Sequence, residues 1–434
     1  MRKIRRLFTD IGPLRESPAF RRLWIGSTMS SVGSALTRYA VVLQVYELTK
    51  SSFAVGAIGI AQLVPLLIIG LAGGSLADMV DRRKLVLICN VCVTAVSATL
   101  AAQAFAGLHS LWLLYLLVAL QASIGSISQP ARRTFIPRLL PQEKLQAGLA
   151  LDRVSFQVML IAGPALAGLI TAAPALGLRG CYLIDTLSFA AGFYGVLRLP
   201  PMRPSPDGAT TAPARPGLRS VAQGVSYIWH NQVLAGAFLA DLNATIFGLP
   251  VALFPAINAE RFGGDPRTLG LFTASIGVGG LVSAGLSGPL KHLRRQGLAM
   301  LVAVAIWGAA FAGFAIAASL WLTLSLLALA GAADTVTVVL RGTIVQTTTP
   351  DTFRGRVTAA DFVVGAGGGE LGNVEAGALG SLTSPTISAL TGGLATVAVA
   401  FVIGLALPAF TRYRFKPQVP EPEHSPRPAV VSQT

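Results

Sequence analysis

The chain has 434 residues, of which 53% are hydrophobic and only 12% are charged. A soluble domain carries about 25% charged residues, so this composition excludes an ordinary soluble protein and predicts a polytopic membrane protein. The net charge of +15 does not indicate a nucleic-acid partner, because the bases cluster in short loops between apolar runs, as topology signals do.

Apolar runs of about 20 residues, separated by short polar breaks, predict twelve transmembrane helices, numbered here as predicted spans 1–12. In the first half, spans 1–6 cover residues 22–47, 53–77, 85–106, 111–130, 146–172 and 180–199. In the second half, spans 7–12 cover residues 232–257, 267–290, 298–317, 320–345, 357–381 and 386–410. The predicted fold class is therefore an all-α membrane protein made of two six-helix halves.

The polar segments divide the chain further. A Pro-rich tract begins at Pro200 and is followed by a short amphipathic stretch, Leu218 to His230, which we expect to lie on the membrane surface. The predicted division is an N-terminal segment 1–21, a first half 22–199, a linker 200–230, a second half 231–411 and a disordered tail 412–434.

The distribution of basic residues predicts the orientation. The side of the membrane that carries the termini and the linker collects most of the arginines and lysines. The opposite side receives only Lys50, Arg179, Arg261 and Arg267. Positive charge is concentrated on the cytoplasmic side, so we expect both termini in the cytoplasm and the protein in the inner (plasma) membrane.

Residues 74–84 read Gly-Ser-Leu-Ala-Asp-Met-Val-Asp-Arg-Arg-Lys and connect predicted spans 2 and 3. Asp78 falls at the end of span 2, where a carboxylate is unfavourable beside the negative end of the helix dipole. It therefore needs a positive partner, and clustered bases follow it directly. The alternative is that Arg82–Lys84 serve only as topology signals.

Taken together, the motifs resemble the major facilitator superfamily and, more narrowly, the enterobactin-exporter branch of the drug:proton antiporters. The resemblance rests on Ser17–Arg21, the 74–84 block, Gln129–Arg133, Gly163–Gly168 and Gln346–Val357. There are departures: Met79 stands where the family has a base, and Asp81 where it usually has glycine. Span 5 also lacks the full glycine series of the antiporter signature.

The resemblance implies a gate at the cytoplasmic surface. In the family the motif acid meets the start of span 11, here near Gly355–Thr358, whose free N–H groups suit an anion. The resemblance further implies that Arg83, with Arg132 or Arg133, completes a charge cluster around Asp78, and that this cluster holds the halves together while the cytoplasmic side is shut. The predicted gating residues are Gly74, Asp78, Asp81, Arg83, Arg132, Arg133 and Arg356.

Ionisable residues inside the predicted spans form a second group of candidates. Charges at membrane depth cost a few kcal/mol each, so they usually face a cavity and have a function. The deepest acids, Asp241, Asp334 and Glu370, are the predicted proton-coupling residues. The predicted substrate-cavity residues are Arg38, Gln44, Asp185, Asn373 and Glu375. A static ion pair between Arg38 and one of the acids remains an equal alternative.

Span 11 also contains an unusual glycine run, residues 365–373. It lacks the Gly-Lys-Ser/Thr of a phosphate loop and any preceding strand. In a membrane helix such glycines permit either close helix contact or local unwinding, and the sequence does not decide between the two.

Three functions fit these observations. The first is export of an enterobactin-like siderophore or an amphipathic drug or natural product by proton antiport and alternating access. The second is import of a small nutrient, or lipid flipping, by the same fold. The third is a membrane receptor that transports nothing. We expect no enzymatic activity, cofactor or metal, because the four histidines lie in loops and the Cys89–Cys92 pair has no partner ligands. The expected partners are a small-molecule substrate, protons and the lipid bilayer, with the protein acting as a monomer.

Overall fold

The computed structural model describes residues 10–202, 218–248, 250–286 and 293–414, without the side chains of residues 70–79, 218–220 and 366. Across these residues the chain is helical, apart from one antiparallel bridge that pairs Arg295 with Arg414. The Pro-rich tract after Met202 and the tail after Arg414, both named in the sequence analysis, lie outside the described residues.

Twelve long helices account for most of the chain. In the first half they are α1 (Pro18–Thr49), α2 (Ser52–Met79), α3 (Arg82–Phe105), α4 (Leu111–Arg133), α5 (Gln142–Ala172) and α6 (Gly177–Leu197). In the second half they are α7 (Gln232–Phe247), α8 (Pro266–Gly285), α9 (Gln296–Ile316), α10 (Leu320–Thr348), α11 (Asp351–Leu382) and α12 (Pro385–Ala406). Short helices cover Gly12–Glu16, Phe135–Leu139, Leu218–His230, Phe254–Arg261 and Pro408–Thr411, with a 3₁₀ turn at Val251–Leu253.

Ten helical segments in the described part of the chain are long and apolar enough to cross a membrane. The remaining two long helices, α1 and α11, have 32 residues each but are more polar. The excess polarity is informative, because these two helices carry several of the ionisable residues predicted to face a cavity. The predicted all-α membrane fold of two six-helix halves is confirmed.

The predicted span at 232–257 is present as one candidate membrane segment, Gln232–Arg261, but its helix is interrupted. The helix α7 ends at Phe247, and the chain resumes as a 3₁₀ turn, Val251–Leu253, before the helix Phe254–Arg261. Pro250 precedes the turn and has no N–H to donate, so it cannot continue the helical hydrogen bonds. The side-chain oxygen of Asn373 on α11 accepts a 3.2 Å hydrogen bond from the backbone N–H of Ala252 instead.

Two helix pairs join the halves, α2 with α11 and α5 with α8. We call the end of the bundle that carries the described N-terminal and C-terminal residues the terminal end, and the opposite end the distal end. An ideal Cβ on Gly56 of α2 would lie 2.5 Å from the carbonyl oxygen of Asn373. An ideal Cβ on Gly270 of α8 would likewise lie 2.5 Å from the carbonyl oxygen of Pro164 on α5. Only glycine permits backbones this close, so the halves are closed tightly toward the distal end.

Toward the terminal end the two halves meet through a looser contact. The guanidinium carbon of Arg133, the last residue of α4, lies 5.7 Å from the ring centroid of Phe362 on α11. Phe362 remains 42% exposed. This arrangement is a cation–π contact at a partly open surface, unlike the direct backbone packing at the distal end.

The predicted amphipathic helix is present as Leu218–His230 and packs along the first turns of α11. The ring of Tyr227 stacks on Phe353 with centroids 4.4 Å apart. An ideal Cβ on Gly224 would lie 2.3 Å from the carbonyl oxygen of Arg356, so the two backbones are in close contact. The exposed Trp229 on the same helix fits a position at the membrane–water interface.

The core of the second half is built largely from aromatic rings. Phe254, Phe272 and Phe314 pack edge to face, with centroids 5.3 to 5.8 Å apart. Trp307 on α9 donates its indole N–H to the carbonyl oxygen of Ala244 on α7, at 3.2 Å. The ring contacts join the short helix Phe254–Arg261 to α8 and α9, and the Trp307 hydrogen bond fixes α7, which carries Asp241, against α9.

Candidate functional site

A buried ion-pair group links three helices of the second half. Arg341 on α10 donates a 2.8 Å hydrogen bond to the carboxylate of Asp241 on α7. The same nitrogen lies 3.1 Å from the carboxylate of Asp361 on α11. The side chains of Arg341 and Asp241 are only 14% and 7% exposed. We refer to Asp241, Arg341 and Asp361 as the ion-pair triad.

The local sequence explains how the triad reaches membrane depth. Asp241 is nine residues into α7 and Asp361 ten residues into α11, which places both about 14–15 Å along their helices from the terminal end. Gly365 follows Asp361 by one helical turn, and its ideal Cβ would lie 3.7 Å from the Arg341 guanidinium. The guanidinium therefore packs directly on the bare backbone of α11, beside its carboxylate partner.

Asp334 extends the triad. It lies seven residues before Arg341 on α10, which is about two helical turns and places both residues on the same side of the helix. Asp334 interacts electrostatically with both Asp241 and Arg341. The Arg341 guanidinium thus contacts two carboxylates, those of Asp241 and Asp361, and the three acids together carry more negative charge than the one guanidinium offsets when all are ionised.

A separate polar network lies in the first half around Asp185 of α6, which is fully buried. Its Oδ2 accepts hydrogen bonds from Thr37 of α1 at 2.7 Å and from Ser97 of α3 at 2.6 Å. Gln121 of α4 donates to Ser97 at 3.2 Å. The other carboxylate oxygen of Asp185 has no hydrogen-bond partner among the described residues. Four helices therefore converge on one carboxylate.

Gln44 belongs to a neighbouring network closer to the distal end. Its side-chain amide exchanges two 3.2 Å hydrogen bonds with that of Gln103 on α3. Tyr182 on α6 donates a 2.6 Å hydrogen bond to the Gln44 carbonyl oxygen. All three side chains are buried, so this predicted cavity residue is held inside the first half and ties α1, α3 and α6 together.

Arg38 is the cation that lies between the halves. It is 20 residues into α1, and its guanidinium donates to the sulfur of Met159 on α5 at 3.3 Å. It interacts electrostatically with Asp185 of its own half and with Glu370 of the other. Arg341, not Arg38, makes the ion pair with Asp241. The alternative of a static ion pair between Arg38 and another of these acids stays a prediction.

Glu370 lies where the two halves close. An ideal Cβ on Gly59 of α2 would be 2.5 Å from its backbone oxygen and 3.2 Å from its carboxylate. The side chain therefore points at the first half, with Asn373 one turn further along α11. Glu375 is half-buried on the same helix. The structure places Glu370 and Asn373 at the interface between the halves.

The helix α11 therefore connects all of these features. It begins beside the amphipathic helix, passes Arg133 at Phe362, contributes Asp361 to the triad and ends in the distal closure at Glu370 and beyond. Its glycine run is helical throughout. Ideal Cβ atoms on Gly368 and Gly372 would lie 2.5 and 2.2 Å from atoms of Thr245 on α7, so close contact, not local unwinding, is what the structure shows.

Two of the predicted gating residues, Asp81 and Arg83, make hydrogen bonds within the first half. Asp81 is the N-cap of α3, where its carboxylate accepts from the backbone N–H groups of Arg83 at 2.9 Å and Lys84 at 3.3 Å. It also accepts from the N–H of Met202, after α6, at 3.4 Å. Arg83 donates to the carbonyl oxygen of Leu197, the last residue of α6, at 2.7 Å. Both therefore tie the start of α3 to the end of α6.

The other predicted gating bases are dispersed in this conformation. Arg132 hydrogen-bonds the side chain of Asn90 on α3, whereas Arg133 reaches across to Phe362. Arg356 stacks over Phe353 on its own helix, with the guanidinium carbon 5.1 Å from the ring centroid. The side chain of Asp78 and the environment of Gly74 lie outside the described residues. Because the Asp78 side chain is not described, the cluster of Arg83 with Arg132 or Arg133 around it stays a prediction.

Sequence reasoning missed Arg341, which holds the triad together. The signal was present, because Arg341 lies inside the predicted span 320–345, four residues before its end. A base so close to the end of a span is easily read as a topology signal. Its partners on α7 and α11 are 100 and 20 residues away in sequence, so no local pattern identifies the ion pair.

Comparisons with known proteins agree with this architecture. The family model described as transmembrane secretion effector matches residues 8–430. The enterobactin exporter EntS of Citrobacter koseri is 27% identical over 416 residues, covering 95% of this chain and 97% of the relative. EntS of Escherichia coli (strain SMS-3-5) is 26% identical over 409 residues, covering 94% of this chain and 96% of the relative.

Among solved structures, the nucleoside transporter NupG superimposes with a TM-score of 0.70 at 14% identity, covering 91% of this chain and 99% of that one. Identity at this level supports the fold alone. The family match covers almost the whole chain, and the buried charges lie on helices of a two-half transporter bundle. The chain therefore belongs to the transmembrane secretion effector family of major facilitator superfamily transporters.

Proposed function

We propose that the protein exports a siderophore such as enterobactin, or a related amphipathic small molecule, in exchange for protons by alternating access. The observation that carries this proposal is the ion-pair triad: one buried guanidinium shared by Asp241 and Asp361, with Asp334 on the same helix. Surplus carboxylates at membrane depth are the groups that proton-driven transporters load and release.

The triad also supplies a physical reason for coupling. When Arg341 is bound to one carboxylate, protonation of the other costs little, and loss of the ion pair favours protonation of the freed acid. The three members sit on α7, α10 and α11, so a change of partner alters the packing of these helices. Proton binding and helix movement are thereby linked through one side chain.

The choice of substrate rests on the relatives and on the surface between the halves. The relatives are named enterobactin exporters and share about a quarter of their residues with this chain over nearly its full length. Arg38, Met159 and Glu370 lie between the two halves and combine a cation, an apolar side chain and an acid. This mixture suits an aromatic, hydroxyl-rich compound better than a simple sugar or ion.

The direction of transport follows from the predicted orientation. The positive-inside pattern assigns the terminal end to the cytoplasm, and the tight closure lies at the distal end. The conformation described here is then one in which the substrate is taken up from the cytoplasm. We assign the protein to the inner membrane, acting as a monomer.

Everted membrane vesicles test the proposal directly. With the lumen acidified by respiration and monitored with a quenched amine dye, addition of iron-free enterobactin should restore fluorescence and accumulate the compound inside. Vesicles that carry Arg341→Gln at matched protein levels should neither recover fluorescence nor accumulate enterobactin. Accumulation without proton release would contradict antiport, and failure of both in the wild-type vesicles would contradict siderophore export.

A further inference from the structure

The outer surface of the second half contains a groove that the transport mechanism does not use. It runs between α8, α9 and α10 and has a volume of about 530 Å³. Apolar side chains form its walls, among them Leu298, Val302 and Ile306 on α9 and Leu329 and Val336 on α10. Small residues form its floor, so the surface is recessed there, between the larger side chains of the walls.

The position of the groove restricts its occupant. Its walls belong to helices that are apolar and long enough to span the membrane, and Val302 and Leu329 are 51% and 48% exposed. Along α9 the groove extends from Arg295 to Ile306, which is about 16 Å. A narrow apolar channel of this length, parallel to the helices and open to the bilayer, fits one acyl chain.

The mouth of the groove is positively charged. Arg295 lines the opening and is paired by an antiparallel bridge with Arg414. Residues directly opposite in such a bridge project to the same side, where like charges destabilise each other. Both arginines are exposed, and within the described ranges neither is paired with a carboxylate. Among residues 293–414 and the other described parts of the chain, the pair therefore has no carboxylate that would offset its repulsion.

We propose that this groove binds one anionic phospholipid, with an acyl chain between α8, α9 and α10 and the phosphate between Arg295 and Arg414. The phosphate lies at the terminal end, at the level where lipid headgroups meet the ends of α9 and α10. The apolar walls select a lipid over a soluble anion. The two guanidinium groups select an anionic headgroup over a zwitterionic one, because each basic group near the bilayer contributes about 1 kcal/mol toward anionic lipid.

Native mass spectrometry of the full chain in detergent tests this site. The protein is titrated with phosphatidylglycerol and, separately, with phosphatidylcholine of the same acyl chains. The wild type should bind the anionic lipid more tightly, and Arg295→Gln or Arg414→Gln should each weaken that binding about fivefold while weakening the binding of phosphatidylcholine less. Arg15→Gln, an exposed base at the terminal end of the first half, is the matched control and should change nothing.

A second pair of variants tests the acyl-chain groove. Ala299→Leu fills the floor and should weaken binding of both lipids, whereas Ala309→Leu, exposed on the same helix beyond the groove, should not. All variants are compared at unchanged thermal transition. The proposal is overturned by equal affinity of the wild type for the two lipids, by an equal loss with Arg15→Gln, by no effect of Ala299→Leu, or by complete displacement of the lipid with inorganic phosphate.

Discussion

The guanidinium of Arg341 on α10 lies 2.8 Å from the buried carboxylate of Asp241 on α7. The pair joins two helices that are about 100 residues apart in sequence, and Asp361 adds a third helix at 3.1 Å. A buried ion pair is costly to form and more costly to break, since a single charge left behind has no water to solvate it. Its presence at membrane depth is the main reason to regard this region as functional.

Removal of the cation should destabilise the protein. Arg341→Gln leaves Asp241 without its counter-charge, which costs about 3–5 kcal/mol when a buried partner is deleted. We expect a lower thermal unfolding temperature of the purified protein and loss of transport. Arg354→Gln is the control, because Arg354 pairs with Asp351 on the surface, where the two side chains are 61% and 83% exposed and such pairs contribute little.

The double variant Asp241→Asn/Arg341→Gln separates stability from coupling. It removes Arg341 and its most buried partner, while Asp361, which is 34% exposed, keeps its charge without the cation. Part of the lost unfolding temperature should therefore return, while proton-coupled transport should not. Recovery of transport together with stability would show that the pair is only structural.

Neutralisation of single carboxylates should identify the group that couples to protons. Asp241→Asn, Asp334→Asn and Glu370→Gln each remove one ionisable site with little change in volume. At least one of the three should abolish substrate-driven proton release from everted vesicles while the variant still binds substrate. If all three export normally and still release protons, the coupling assignment is wrong.

The distal closure should be sensitive to a single methyl group. Gly56→Ala places a Cβ 2.5 Å from the carbonyl oxygen of Asn373, whereas an added Cβ on Gly125 of α4 meets nothing within 4 Å. We expect Gly56→Ala to slow transport and Gly125→Ala to leave it unchanged. The physical reason is that α2 and α11 must separate by several tenths of an ångström to accept the methyl group.

Thiol labelling measures that separation. In a background without the three native cysteines, Ser52→Cys reports on the closed end, because Ser52 is 5% exposed. Its labelling rate should rise several-fold with Gly56→Ala and not with Gly125→Ala. An unchanged rate would mean that neighbouring side chains absorb the methyl group without opening the interface.

Asp78, at the end of α2, and Asp81, the N-cap of α3, should behave differently. Asp81→Ala removes an N-cap, which costs about 1 kcal/mol, while Asp81→Asn retains the cap because asparagine accepts the same backbone hydrogen bonds. The thermal transition should therefore fall with alanine and not with asparagine, and transport should follow stability.

A carboxylate that acts in a gate requires its negative charge, so Asp78→Asn is compared with Asp81→Asn. Asp78→Asn should slow transport with expression and stability intact, as the family resemblance predicts. Slower transport by Asp81→Asn at normal stability would assign Asp81 to the gate as well. Normal rates with Asp78→Asn would reduce the loop to a topology signal.

Much of the architecture follows from local properties of the chain. The length and spacing of the apolar runs predict twelve helices, and most observed helices overlap the predicted spans. The exception has a local cause, because Pro250 follows the end of α7 at Phe247 and precedes the 3₁₀ turn that interrupts the predicted span. The amphipathic helix was also predictable, because its periodicity is a property of thirteen consecutive residues.

The site was less predictable, and the reason is geometric. Asp241 and Asp334 were recognisable as buried acids because any charge within an apolar run is conspicuous. Asp361 and Arg341 lie nearer the ends of their predicted spans, where a charge is less conspicuous, and only the fold brings them together. Asp81 is the opposite case. The sequence predicts a gating residue, whereas in the structure its carboxylate accepts hydrogen bonds from the first N–H groups of α3.

Composition and run length alone thus decide that this protein spans the membrane as a two-half bundle, because burial of apolar surface depends on each segment separately. The pairing of Arg341 with Asp241 and Asp361, the convergence of four helices on Asp185 and the closure of α2 on α11 depend on residues far apart in the chain. Only tertiary packing sets those distances, since an ion pair or a glycine contact is defined by its partner and not by its own neighbours in sequence.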